Sequence, residues 1–590
     1  MYTVPQKDYQ RFIKALERVG KSYDPAWKGP SLQLGSAKYH TTLSYATVHP
    51  TREAFQYGAA LLASGRDADL ARAIDVLDNV VRLQDQDPTN ATYGIWSWYM
   101  DEPLEKMSPP DWNWANFCGK EIIQVLRYHS ERLTEELVER LKKALRCACM
   151  SIFRRNMHCY YTNICIMGAY VTLAAGQLMD WPDMFEYGKN LLHKFYDLTR
   201  ANSDAFVEYN SSTYTVVAIE DLSRIYSEID DAEVHFWAEG MLDAAWGTVA
   251  QYFHAPTRQW SGPNSRSYQW LLKPETLSFL QLGLNDEIKL IDEADFEYDI
   301  GWAYVHMHCP DKYRDAFQRC EPHDISLTFQ TADGGQDENT ETATAHLCEK
   351  YSLGSWRRAI TWNQRRNLLA YWGGDKPRFM GATLLHDLYD FSSGILAVAQ
   401  RGGNALVTAS LHTNGGDTHC NLDMVQNATI RAYDLRLRFE FGGALTALPK
   451  IDGDTAVLED GDMRIAFKLL GASFDGQPLS FSVTDSDADT AIQDTKSSLY
   501  RRFDASREKR CYLDVVFYSG EERDIDLSSI KSAYAAVCLS MEGLLPDSCA
   551  LSECGERIQA KASIGGTQFS VSSPARPIPR EDWQADVCVE

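Results

Sequence analysis

The 590-residue chain lacks the run of roughly 18–20 apolar residues that a membrane-spanning helix requires. Its first residues, Met1 to Asp8, contain no apolar signal core and lead straight into an amphipathic segment, Tyr9 to Val19. The expected location is therefore the cytosol. Positive charge is in deficit, with 58 Lys and Arg against 82 Asp and Glu and a net charge of −24. That balance argues against nucleic acid and anionic membrane surfaces as partners, because both would repel the chain. It also weighs against a long polyanionic substrate. Paired CxxC spacing is missing, and the 14 Cys are scattered, with Cys118, Cys147, Cys149 and Cys165 inside expected helices. This is the usage of reduced, core-type thiols, not of a disulfide framework or a zinc site. No cofactor and no metal are expected.

What the chain does have is aromatics, at 12% and including 15 Trp and 30 Tyr. Aromatic faces suit the apolar sides of sugar rings, and they also fill cores. The length calls for two or more domains.

Apolar residues recur at helical spacing over Asp8–Val19, Arg52–Ala63, Ala68–Leu83, Trp114–His129, Glu135–Arg155, Asn163–Met179, Met184–Asn202, Tyr214–Ser227, Ala232–Tyr252 and Pro274–Leu284. Caps stand where they should, with Ser130–Thr134 ahead of Glu135 and Asp180–Pro182 ahead of Met184. The helices come in pairs, which predicts an array of helical hairpins, either an open solenoid or a closed (α/α) toroid. Polar-aromatic loops at one end of alternate helices favour the toroid. Beyond residue 320 the helical period stops. A polar stretch at Thr331–Thr344 reads as a linker, and short alternating segments from Ala345–Tyr351 onward, punctuated by Asp452-Gly, Asp460-Gly and Asp475-Gly turns, read as an antiparallel β-sandwich. The expected organisation is an α+β multidomain chain: an (α/α) toroid over 1–320, a linker over 321–344 and a sandwich over 345–590.

The chain centres on Asp204–Tyr226. Asn210, Ser211 and Ser212 suit a loop or cap, and an amphipathic helix follows, so Tyr214 falls in its first turn beside Glu208 and Asn210. A tyrosine fixed next to a carboxylate and an amide is a candidate for proton transfer. The alternative is a cap followed by a core aromatic. Three further loops, around Tyr93–Glu102, Ser108–Asn116 and Gln259–Tyr268, place Trp112, Trp114, Trp260, Arg266 and Tyr268 among amides and charges. They suit a polar-ligand cleft or the packing of loops onto the toroid.

A helical toroid followed by a large antiparallel sheet domain resembles the polysaccharide lyases of the heparinase II/III-like, alginate lyase and hyaluronate/chondroitin lyase groups. Tyr161-Thr-Asn163-Ile-Cys-Ile-Met167 is similar to the stretch in which those lyases carry an asparagine at the start of a toroid helix. Glu208-Tyr-Asn-Ser-Ser-Thr-Tyr214 looks like the heparinase-type segment Glu-x-Asn-Ser-Pro-x-Tyr, with Ser212 where proline is usual and Thr215 where some members have histidine. The resemblance implies Asn163 as the amide that neutralises a uronate carboxylate and Tyr214 as the catalytic phenol, with Tyr161, Glu208 and Asn210 near the substrate.

The chemistry asks for such groups independently. β-Elimination removes the weakly acidic C5 proton of a uronate and expels the 4-O-linked sugar. A donor must hold the carboxylate as charge spreads onto it, a base must take the proton and an acid must supply the leaving oxygen. One tyrosine can reach both positions. Arg266 is a second positive group or a structural loop anchor. In lyases of this architecture a sheet-domain histidine often completes the site, and His346, following the linker and near Trp362 in the chain, is preferred to His412 and His419. His412, Asp417, His419 and Asp423 have the residue types of a zinc site without a recognised spacing.

The leading expectation is thus a carbon–oxygen lyase acting on a uronate-containing oligosaccharide or polysaccharide without a metal. The alternative is a glycoside hydrolase on the same scaffold, using two carboxylates from Asp101, Glu102, Asp111, Glu121, Asp204 and Glu208. A non-catalytic glycan-binding array is the third reading.

Overall fold

A computed structural model describes residues 4–35, 40–330, 340–358, 364–414, 425, 427–486 and 510–590. The chain divides into two compact units. A helical unit comprises residues 1–207, 214–246 and 274–310, and a sheet unit comprises 208–213, 247–273 and 311–590.

The helices are α1 (Tyr9–Gly20), α2 (Thr51–Ala63), α3 (Asp67–Val81), α4 (Trp114–His129), α5 (Glu135–Arg155), α6 (Thr162–Leu178), α7 (Pro182–Ala201), α8 (Tyr214–Glu228), α9 (Ala232–Tyr252) and α10 (Pro274–Gly283). The Thr134 hydroxyl accepts from the Leu137 amide at 3.3 Å and so caps α5. Pro182 opens α7, where its missing N–H costs nothing. Sequence neighbours pair as α2–α3, α4–α5 and α6–α7, while α2, α4, α6 and α8 pack on one another in turn. Alternate helices therefore form an inner row, the arrangement of an (α/α) toroid. Composition explains the sorting. Helix α6 is buried from Thr162 through Gly176, as an inner helix must be, whereas α7 buries only a stripe that includes Met184, Gly188, Leu191, Leu192 and Phe195.

The inner helices run in parallel. The C-terminal residues Arg127 of α4, Gly176 and Gln177 of α6, and Ser227 and Glu228 of α8 all line one cavity of about 790 Å³. Gln177 Nε2 donates to the Glu228 carbonyl at 3.0 Å and Gln177 Oε1 accepts from the Asp230 amide at 2.8 Å. With their last turns joined, the first turns of α4, α6 and α8 share the opposite end, about 24 Å away at 1.5 Å per residue. Among the described residues no helix is long and apolar enough to cross a membrane.

The sheet unit is antiparallel throughout its named ladders. One sheet runs Phe481–Asp485, Cys511–Asp526, Thr429–Gly443, Arg378–His386, Leu368–Trp372, Tyr351–Trp356, Thr340–Leu347, His323–Gln330. A second runs Gly394–Arg401, Asn404–Leu411, Ala533–Ser540, Met463–Phe474, Thr455–Asp460, Lys450–Asp452, and a third carries the strands from Ser548 to Val589. The second sheet is the middle layer. Leu396 and Val398 face a core shared with Leu437, Phe439 and Phe441 of the first sheet, while Ile395, Ala397 and Ala399 face Ala560, Ala562 and Val571 of the third. A strand buried on both faces must read as a continuous apolar run, and Gly394–Arg401 does. Full burial of a side chain such as Phe439 contributes about 2 kcal/mol.

Two expectations fail here. The span 321–344 is not a linker where it is described: His323–Gln330 and Thr340–Leu347 are paired strands of the first sheet. Residues 331–339 lie outside the described residues. Ala345–Tyr351 is likewise not one strand, because the chain turns at Cys348, whose amide donates to the Tyr351 carbonyl at 3.0 Å, and starts a new strand at Tyr351. Strong side-chain polarity in Thr340–Thr344 masked an alternation whose inward residues, Glu341 and Ala343, are buried.

Candidate active site

In the helical unit, the shared end of the inner helices gathers several of the expected residues. Asn163 lies in the first turn of α6 and is only 2% exposed, and its Oδ1 has no hydrogen-bond partner among the described residues. Asn116, in the first turn of α4, is in the same condition. Its Oδ1 lies 3.3 Å from where a Cβ on Gly168 of α6 would stand, so a glycine there is what admits it. A buried amide oxygen without a donor is costly and marks a place prepared for something else. Tyr214 opens α8 and is half-buried.

Around them is a hydrogen-bonded wall. Arg155 Nη1 donates to Asn113 Oδ1 at 2.5 Å, and Asn113 Nδ2 faces Tyr161 Oη at 3.5 Å. Trp114 is buried, stacked on Trp98 at 5.1 Å, and its indole N–H donates to the Thr51 hydroxyl at 3.0 Å. Trp114 is therefore wall, not platform. Trp112 is half-buried, with its N–H on the Ala91 carbonyl at 2.9 Å, which leaves the ring partly open.

Most of the acids offered for hydrolysis are held locally. Asp101 contacts His49 Nδ1 at 3.0 Å, Glu102 accepts from the Thr42 amide at 2.9 Å, Asp111 accepts from Trp98 Nε1 at 3.0 Å, and Asp204 pairs with Arg200. Glu121 differs, being buried with its carboxyl pushed upward mainly by desolvation. Sequence reasoning missed its companion. Glu220, on α8, is pushed up to about 7 by burial, although Lys120 and Arg224 pull the other way. It accepts from Trp302 Nε1 at 2.8 Å. Beside it, Asp221 takes Arg224 at 2.7 Å and Lys120 at 3.9 Å. The signal was available: Glu220, Asp221 and Arg224 are charges clustered on a helix that is otherwise buried.

In the sheet unit, the segment 208–213 is fastened to the loop 259–268. Asn210 Nδ2 donates to the Ser261 and Pro263 carbonyls at 2.9 and 2.8 Å. Its Oδ1 accepts the Trp260 indole N–H at 2.6 Å, and its carbonyl accepts Asn264 Nδ2 at 2.7 Å. Asn210 has φ of +50°, a left-handed conformation that asparagine tolerates better than most residues. Asn210 and Trp260 are each 1% exposed with these polar atoms committed inside the protein, so the structure gives both a fastening part. Ser211 Oγ donates to the Arg266 carbonyl at 2.6 Å, and Ser212 Oγ meets Ser267 Oγ at 2.9 Å. Ser212, which stands where a proline was expected, uses its hydroxyl.

Arg266 is half-buried and charge-paired. Its Nη1 donates to Glu208 Oε1 at 3.0 Å, and its Nη2 to Tyr268 Oη at 3.3 Å and Gln364 Oε1 at 3.2 Å. Tyr268 and Gln364 line a small crevice of about 90 Å³ that also takes in Arg366, Arg438 and Arg510. His346 is hydrogen-bonded through Nδ1 to Asp324 Oδ1 at 2.8 Å and interacts electrostatically with the Cys348 side chain. His412 is buried and held neutral, its imidazole pushed down to about 3 chiefly by desolvation. Asp417, His419 and Asp423 lie outside the described residues, as does Trp362. Among the described residues no group of three or more His, Cys, Asp or Glu could hold a metal ion.

Three comparisons with known proteins bear on this arrangement. A family model described as a domain of unknown function, DUF8769, matches residues 31–285. No curated protein matches. Among solved structures, the chondroitin AC lyase of Streptomyces coelicolor A3, in complex with chondroitin sulphate, superposes with a TM-score of 0.51 at 10% identity, covering 97% of this chain and 88% of that one. A heparinase III gene product covers 97% of this chain and 91% of its own at 11% identity, with a TM-score of 0.38. The chain has a polysaccharide-lyase-like fold, a helical toroid followed by antiparallel sheets, as the likeness to the chondroitin lyase establishes.

Proposed function

We propose that this protein is a polysaccharide or oligosaccharide lyase that cleaves a uronic-acid-containing glycan by β-elimination. The observation that carries the reading is the clustering, on a lyase-like fold, of Asn163 and Tyr214 in the first turns of two parallel, mutually packed inner helices. Asn163 is buried and positioned by packing in the first turn of α6, and the NH2 end of its amide is the end that can donate to a carboxylate. It serves as the clamp on the uronate carboxylate, stabilising the charge that develops when C5 loses its proton. Tyr214 takes that proton and returns it to the departing 4-oxygen, so one phenol is base and then acid. Tyr161, held through Asn113 and Arg155, and the open face of Trp112 supply sugar contacts. The net charge of −24 favours a short oligosaccharide with few carboxylates over a long polyanion.

The test is ultraviolet absorbance during incubation with uronate oligosaccharides, since elimination creates a C4–C5 double bond conjugated with the carboxylate. Tyr214→Phe should lower the rate by about 10²–10⁴-fold with the fold intact. Undiminished elimination in that variant would refute the assignment. A second reading, hydrolysis by paired carboxylates, is favoured by the raised Glu121 and Glu220. It predicts new reducing ends without the absorbance, lost in Glu220→Gln and kept in Tyr214→Phe.

A further inference from the structure

His346 stands opposite Asp324 in the antiparallel pair of His323–Gln330 with Thr340–Leu347. Directly opposed residues project from the same face with their Cβ atoms about 5 Å apart. Cys348 follows His346 by two residues, just past the end of that strand, where the chain turns. Register brings the carboxylate and the imidazole together, and the turn that follows adds a thiol. The Asp324 to His346 Nδ1 distance is 2.8 Å, and the imidazole and the Cys348 side chain interact electrostatically. The turn adds to this. The Cys348 thiol donates to the Tyr351 carbonyl at 3.4 Å, and the backbone amides of Lys350 and Tyr351 favour its ionised form. The turn itself is pinned by His254, whose Nε2 meets the Cys348 carbonyl at 2.7 Å.

The electrostatics agree with the geometry. The interactions with Cys348 and Asp324 outweigh burial and push the His346 imidazole up to about 8. Burial opposes ionisation of the Cys348 thiol, but His346 and the two backbone donors together draw it below the ordinary thiol range. The other ionisable groups around the sulfur are Cys320, which burial pushes up to about 11, then Glu349, and Tyr351 with its hydrogen bond to Glu542. Cys348 is half-buried, whereas Cys118, Cys149 and Cys165 are buried and pushed upward.

We propose that Cys348 is a reactive thiolate site, activated by His346 and oriented through Asp324, that takes soft two-electron electrophiles and in particular peroxides. The sulfur attacks one peroxide oxygen, forming an S–O bond as the O–O bond breaks. Cys348 is oxidised by two electrons to a sulfenic acid and the peroxide is reduced. The departing oxygen takes its proton from the His346 imidazolium and leaves as water or alcohol. This use of the three residues is independent of the proposed lyase chemistry.

The full-length protein supplies its own reference thiols, because Cys549, Cys554 and Cys588 are exposed. Iodoacetamide labelling at pH 6.5, followed by peptide mass mapping, should modify Cys348 several-fold faster than those three. An ordinary thiol is about 1% ionised at that pH, so a thiol drawn below the ordinary range gains in thiolate fraction by more than it loses through the lower nucleophilicity of a stabilised anion. His346→Gln should remove the advantage while the exposed cysteines keep their rates, and Asp324→Asn should reduce it. After hydrogen peroxide, a sulfenic-acid trap should mark Cys348 and should fail to do so in His346→Gln. Labelling of Cys348 no faster than Cys549, or an unchanged rate in His346→Gln, would overturn the proposal.

Discussion

Replacing Asn210 by Ala removes the side chain that fastens residues 208–213 to the loop 259–268. Three buried groups lose their partner: the Trp260 indole N–H and the carbonyls of Ser261 and Pro263. Each buried group left unmet costs about 1–3 kcal/mol, and an alanine held at the φ of +50° adds about 1–2 kcal/mol. The expected loss is about 4–11 kcal/mol, a large part of the 5–15 kcal/mol that ordinarily separates folded from unfolded protein. Asn210→Asp should be nearly as damaging, because it keeps the acceptor for Trp260 but turns a second oxygen toward two carbonyl oxygens. The assay is urea unfolding followed by tryptophan fluorescence, together with sugar binding measured well below the midpoint. The expected result is a large drop in the midpoint with unchanged affinity for whatever remains folded. An unchanged midpoint with weakened sugar binding would refute the reasoning and return Asn210 to the substrate.

Asp514, fully buried, accepts from Arg436 at 2.7 Å, from Arg438 at 2.9 and 2.8 Å and from Thr484 at 3.0 Å. Asp514→Ala removes a carboxylate shared by two buried guanidinium groups, of which Arg436 keeps Asp434, and should cost about 3–5 kcal/mol in thermal or denaturant unfolding. Glu220 sets a pH dependence. Its folded value is about 7 against an ordinary 4.5, so between those values the folded protein binds the extra proton. Stability then falls as pH rises through that window, by at most about 3 kcal/mol, and is not lost further above it. Glu220→Gln should flatten that slope in unfolding curves taken from pH 4.5 to 7.5, and an unaltered slope would count against the assignment.

The helices were legible because their information is local. Trp114–His129, Glu135–Arg155 and Ala232–Tyr252 begin and end where period and caps place them. The strand pair His323–Gln330 with Thr340–Leu347 was not, although Ile325, Leu327 and Phe329 and then Ala343, Ala345 and Leu347 alternate, because the polar sequence between and within them reads as a linker. Cys348–Tyr351 turns without Gly, Pro or Asn, so nothing in the sequence announced it. The candidate site divides in the same way. Asn163 and Tyr214 could be placed on helix starts from spacing alone. The fastening part of Asn210 and Trp260 could not, because it depends on contacts about 50 residues apart in the chain. The grouping of Asp324, His346 and Cys348 needed the strand register before it could be read.

The interleaved membership of residues 208–213 and 247–273 has a consequence for the order in which the molecule can be made. Both segments leave the ribosome inside a stretch of helices, yet they pack with strands that begin only at His323 and end at Val589. At about 5–20 residues per second, residue 213 precedes the last strand by roughly 20–75 seconds. During that interval Asn210 can already engage Trp260, Ser261 and Pro263, which emerge soon after it. The fastened pair of segments can therefore be held in shape before the sheets that receive it exist. A gene cut at residue 310 would give an N-terminal product carrying these segments without their strands and a C-terminal product lacking them, so the two halves should recover structure only when expressed together.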